Sequence, residues 1–159
     1  MTIKQSSKAI GFAVAALFAT ANVQAQPATD SFTFTTKSGQ PTVLGGNASV
    51  GNDYTGMYFN GTHQTSFADG QKRSGTFTCV AMTQPPNVKL FDMHMLCDAT
   101  DSKGKYSVVL GCTTIDTATQ HNSCIGGLYG KSGAYAGRRG ILTNYQLGEG
   151  ATGTGQWYR

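Results

Sequence analysis

The chain has 159 residues, 21 of them glycine; charged side chains make up only 13%, and the formal net charge is +4. So weak and scattered a charge excludes a binder of nucleic acid or of an anionic membrane surface. Few charged helix formers beside abundant Gly, Thr and Ser suit short strands and turns rather than long helices.

The first segment reads as a secretory signal. Lys4 and Lys8 form a basic start, residues 9–19 a short apolar core, and Val23-Gln24-Ala25 a cleavage site with small residues at the recognised positions. A spanning helix needs about 20 mostly apolar residues, whereas Thr20, Asn22 and Gln24 interrupt this one. The expectation is a cleaved signal over 1–25, no stable membrane anchor, and one domain over 26–159, secreted or periplasmic. Ten basic residues then face eight acidic ones.

Beyond the cut, residues 31–35 alternate polar and apolar with the period of a half-buried strand. Turn signals follow at Gly39–Pro41 and Gly45-Gly46-Asn47. A second strand is expected over 54–60, broken at Gly61 and again at Ala68-Asp69-Gly70. Residues 75–82 form a clear strand in which Phe77, Cys79 and Ala81 alternate with Thr76, Thr78 and Val80. Pro85 and Pro86 cannot continue a ladder because proline lacks the donor. Strands resume over 88–97 and 105–112, with a turn at Asp101-Ser102-Lys103-Gly104, and the tail adds 123–129, 137–147 and 152–158. The glycines of the tail are read as points of chain reversal or positive φ. Eight or nine short, evenly spaced strands without an amphipathic helix predict an all-β protein. The expected architecture is a single closed antiparallel eight-stranded β-barrel, since closure removes exposed edges.

Cys79, Cys97, Cys112 and Cys124 all lie beyond the signal, so two disulfides are expected in an oxidising compartment. Cys112 and Cys124 sit evenly about a polar stretch centred near residue 118, which places them opposite each other on neighbouring strands. That leaves Cys79 to pair with Cys97. No pair has a metal-ligand spacing and no histidine pair accompanies them, so neither a metal nor a cofactor is expected.

The stretch Cys124-Ile125-Gly126-Gly127, followed by Gly130-Lys131-Ser132-Gly133-Ala134-Tyr135-Ala136-Gly137-Arg138-Arg139-Gly140, resembles the G-G-T-G-x-Y-x-G-x-x-G segment of the allene oxide cyclase barrel superfamily. That superfamily includes dirigent proteins and many small secreted bacterial proteins. The resemblance covers about a quarter of the mature chain. It implies an eight-stranded barrel with a central cavity, glycines shaping a hairpin, and an aromatic side chain covering one barrel end. Plant allene oxide cyclases close a ring in a fatty-acid epoxide and dirigent proteins steer the coupling of phenolic radicals. Their cavity residues do not align onto this chain residue by residue, so the resemblance assigns no catalytic group.

Candidate sites come from the residues themselves. In 90–96, alternation places Phe91, Met93 and Met95 on one face and Asp92 and His94 on the other. With the polar face inward, Asp92 could orient His94 as an acid or base; with the apolar face inward, both meet solvent. Tyr58, Tyr106, Tyr145 and Trp157 occupy four separate strands and are candidates to line a cavity for a small hydrophobic or phenolic ligand, against ordinary packing. His63 and His121 fall in polar stretches read as exposed turns, and Arg138-Arg139 as solvated charge. Asn47-Ala48-Ser49 and Asn60-Gly61-Thr62 match the glycosylation acceptor pattern. Two functions follow: a ligand-handling barrel, extending to a cofactor-free cyclase/isomerase or stereo-directing protein, or a non-enzymatic, disulfide-stapled interaction module acting through surface loops. A cavity of a few hundred Å3 with convergent polar groups favours the first, a solid interior the second.

Overall fold

The computed structural model describes residues 29–45, 55–84, 90–119 and 121–158. The expected signal, the Asn47 acceptor and the Pro85-Pro86 turn lie outside them. Nine strands fall within the described residues: β1 (Thr29–Ser38), β2 (Thr42–Leu44), β3 (Gly56–Phe67), β4 (Lys72–Thr83), β5 (Met93–Asp101), β6 (Gly104–Asp116), β7 (His121–Gly130), β8 (Arg139–Leu147) and β9 (Gly150–Tyr158). From β3 to β9 each strand pairs antiparallel with the next. β1 then pairs with both β9 and β3, which closes eight strands into a barrel. β2 pairs with β3 beyond the end of β1, after the break at Gly39–Pro41.

Alternation decides which side chains enter the barrel. On β4, Phe77, Cys79 and Ala81 turn inward while Thr76, Thr78 and Val80 turn out. The buried core gathers Phe59, Met95, Leu110, Leu128, Leu142 and Trp157 from six strands. Both disulfides form as the spacing requires. Cys79 and Cys97 are direct cross-strand partners on β4 and β5, Cys112 and Cys124 on β6 and β7. The two bonds place the protein in an oxidising environment. No helix of the described residues is long and apolar enough to cross a membrane.

Several local expectations are corrected. Gly61 does not break a strand but lies inside β3, cross-strand from Phe77. Residues 97–101 belong to β5, and the turn falls at Ser102-Lys103. In the tail only Gly133, Gly137 and Gly148 have positive φ; Gly153 and Gly155 are strand residues facing Phe34 and Phe32. A Cβ on Gly61, Gly153 or Gly155 would overlap the ring of the partnering phenylalanine. These glycines therefore supply space: a narrow barrel admits large inward rings only where small residues face them.

Candidate ligand cavity

The interior holds a cavity of about 100 Å3. Its wall is mainly aromatic, with Phe32 and Phe34 from β1, Phe59 and Phe67 from β3, and Phe77 from β4. Phe32 packs tilted against both Phe34 and Phe67, with ring centroids 6.2 and 5.6 Å apart. Met95, Val108, Leu110, Leu128 and Leu142 complete the apolar lining. The volume is smaller than the few hundred Å3 set as the mark of a ligand barrel. It matches the scale at which an apolar void of about 150 Å3 admits benzene.

One end is closed by the chain between β7 and β8. A 3-10 turn at Gly133–Tyr135 drives the Tyr135 ring into the barrel, where it is 2% exposed. Eight backbone hydrogen bonds hold this segment: Lys131 and Ser132 N–H to the Lys105 carbonyl, Ala134 N–H to Lys103, Gly130 N–H to Arg138, Tyr135 N–H to Ser132, Ala136 N–H to Gly133, Gly137 N–H to Gly130, and Arg138 N–H to Tyr135. It is a fixed plug. Tyr135 stacks on Trp157 with centroids 5.0 Å apart, and Tyr106 meets both rings edge-on at 5.1 and 5.6 Å. The Tyr135 hydroxyl donates to Asp101 Oδ2 at 2.5 Å and accepts from Arg73 Nη1 at 2.9 Å. Burial, reinforced by the hydrogen bond to Asp101, pushes its phenol up to about 12.

Above this aromatic floor sits His63, only 5% exposed. Its Nδ1 lies 3.3 Å from Thr65 Oγ1 and its Nε2 3.4 Å from the Tyr106 hydroxyl. Burial lowers the imidazole from its ordinary value, outweighing the Thr100 backbone and the Asp101 charge, which act the other way. Burial likewise raises the Tyr106 phenol. Both groups are thus held neutral at pH 7, able to donate or accept hydrogen bonds within an apolar chamber. Further polar side chains line the cavity: Thr36, the direct cross-strand partner of His63, and Ser38, Asn144 and Gln146. The Asn144 Oδ1 is buried without a hydrogen-bond partner.

The structure divides the predicted site residues. Tyr106 and Trp157 line the cavity. Tyr58 and Tyr145 do not: both are exposed, because Phe59 and Asn144 take the inward positions next to them. Asp92 and His94 stay outside as well. His94 is exposed, with Nδ1 2.7 Å from Gln84 Nε2, while Asp92 Oδ2 accepts from the Thr114 backbone N–H at 2.8 Å. Phe91 also leaves its expected face, since β5 begins only at Met93. Its ring covers the outer side of Gly111 and meets His94 at 5.6 Å. Arg138 pairs with Asp30 Oδ2 at 2.6 Å, and Arg139 stacks over Tyr129 at 4.2 Å.

His63 was missed because residues 61–66 look polar and turn-like. The signal that could have found it is parity: His63 and Thr65 continue the inward phase of Phe59 through Gly61. Comparison with family models, with curated proteins and with solved structures returns no match. Fold and cavity together define an oxidised, eight-stranded antiparallel barrel with an aromatic interior.

Proposed function

We propose that this protein is a secreted or periplasmic ligand-handling barrel of the allene oxide cyclase-like type. It takes a small, neutral, apolar or aromatic molecule into its cavity. The observation that carries the reading is a phenylalanine-walled chamber ending on His63 and Tyr106, with apolar surface for most of a ligand and few polar groups to orient it. Its volume restricts the ligand to about one ring or a short acyl chain. Among the described residues no cationic side chain lines the chamber, and His63 is held neutral, so a carboxylate entering it would keep an uncompensated charge at a cost of several kcal/mol. An alcohol, phenol or carbonyl is matched by the imidazole and the phenol. Cofactor-free cyclisation or isomerisation would draw on the same features, a dry shaped site and a positioned proton donor or acceptor, with His63 and Tyr106 rather than Asp92 and His94 in those roles.

Trp157 is the sole tryptophan and forms part of the cavity wall, so its fluorescence reports the chamber. Titration of the secreted, oxidised protein with phenol, cyclohexanone and a six-carbon alcohol is expected to change Trp157 emission saturably and raise the Tm. Val108→Phe, which fills the chamber, is expected to abolish both effects. No change in emission or Tm with any of the three would overturn the reading.

A further inference from the structure

The cavity wall carries a second polar group, apart from His63 and Tyr106, that the fold itself does not use. Asn144 lines the chamber from β8, and its Oδ1 is buried without a hydrogen-bond partner. Buried polar atoms are nearly always paired, and leaving one unpaired costs stability. Asparagine is also a poor strand residue, so nothing about β8 calls for it at this position. The wall around it supplies no donor. Its direct cross-strand partners are Gly153 on β9 and Cys124 on β7. Gly153 has no side chain, and the Cys124 sulfur is bound to Cys112. Of the inward neighbours on β8 itself, Leu142 is apolar, and Gln146 turns its Nε2 to the Gly148 carbonyl at 3.2 Å.

Register places this carboxamide relative to the other polar groups of the chamber. Thr65, Phe34, Gly153 and Asn144 are successive cross-strand partners on β3, β1, β9 and β8, all on the inward phase. The Phe34 ring lies over Gly153, where an added Cβ would be 2.5 Å from its Cζ. His63 is the next inward residue on β3, with Nδ1 3.3 Å from Thr65 Oγ1 and Nε2 3.4 Å from the Tyr106 hydroxyl. Polar groups therefore stand on both sides of the Phe34 ring, His63 with Tyr106 on one and Asn144 on the other. A flat molecule packed against Phe34 has a hydrogen-bonding group to either side.

We propose that Asn144 is a second anchor for the ligand, which is a ring bearing two oxygens: a hydroxyl held by Asn144 and a second oxygen held by His63 and Tyr106. Resting on the ligand-handling function proposed for the chamber, this contact narrows its substrate class. A hydroxyl suits a carboxamide because it donates to Oδ1 and accepts from Nδ2, so it satisfies the group whichever way the amide is turned. An alkyl amine does not fit. It is cationic at pH 7, and among the described residues no carboxylate side chain lines the cavity. Dihydric phenols are the simplest molecules with the required features.

Isothermal titration calorimetry of the oxidised protein under argon, with phenol, resorcinol and hydroquinone, tests this. In a pocket without Asn144 the second hydroxyl would weaken binding, since it gives up its water without gaining a partner. The expected result is the opposite: the dihydroxybenzene whose spacing spans the two anchors binds at least about tenfold more tightly than phenol. Asn144→Ala, which removes the carboxamide without narrowing the chamber, is expected to reverse that order, so that phenol becomes the tighter ligand. Circular dichroism and Trp157 emission verify folding, and Asn144→Val carries the same test should the alanine variant misfold. Phenol binding with neither dihydroxybenzene favoured, or a preference that survives in the folded variants, would overturn the second anchor and leave the ligand cavity standing. Absence of binding by all three would overturn the cavity reading, and the anchor with it.

Discussion

Replacing Gly153 with alanine should destabilise the barrel even though alanine is the better residue for an ordered chain. Gly153 faces into the interior from β9, and an added Cβ would lie against the Thr143 carbonyl and 2.5 Å from Phe34 Cζ. The carbonyl belongs to the β8–β9 ladder and cannot move without breaking it; the ring is hemmed in by Phe32 at 6.2 Å. Overpacking of this kind costs about 1–3 kcal/mol, against about 0.4–1 kcal/mol gained by restricting the unfolded chain. The net expectation is a loss of about 1–2 kcal/mol. Gly150→Ala is the internal control, because a Cβ there meets nothing closer than 3.7 Å and its φ is not positive. It should be neutral or slightly stabilising. Urea denaturation followed by Trp157 fluorescence measures both, and each kcal/mol moves Tm by about 2–8 °C for domains spanning this size. Adding Phe34→Leu to Gly153→Ala should recover part of the loss, since the two positions are direct cross-strand partners. Equal stability of the two glycine variants would refute the idea that strand glycines here serve as sockets for phenylalanine rings.

His63 should make stability pH-dependent. Its native value is lowered by burial, so below its ordinary 6.5 the unfolded chain binds more protons than the native one. The contribution is complete above pH 6.5 and is lost as pH falls through that value toward the native one; a urea midpoint that falls between pH 7.5 and 5.5, with a smaller fall in His63→Gln, checks it. Replacing Cys112 with serine should cost about 2–5 kcal/mol, the range for losing a native disulfide in a small secreted domain. Non-reducing peptide mapping should recover Cys112–Cys124 and Cys79–Cys97 peptides, and a Cys97–Cys112 peptide would contradict the register.

Period-two alternation and the spacing of the cysteines were enough to specify much of this protein. They predicted an all-β closed barrel, the alternation of Phe77, Cys79 and Ala81 with Thr76, Thr78 and Val80, and both disulfide pairings, because each depends on parity or distance along the chain. The same rule could have turned Tyr58 and Tyr145 outward and His63 inward, but it works only once strand limits are known. Gly61 looked like a break, so the phase was not carried from Phe59 to His63. Phe91 shows the converse error, alternation extended past the start of a strand. Closure settled the rest. β1 meets β3 and β9 only in the folded molecule, and that contact brings Phe32 and Phe34 over the glycines of β9 and into one chamber with His63, Tyr106 and Trp157. The plug is equally nonlocal, since Tyr135 is oriented by Asp101 and Arg73, 34 and 62 residues away. Local sequence determines which way each side chain points, while only the tertiary pairing determines which side chains meet there, because ring, hydroxyl and charge partners are chosen by strand register across the barrel.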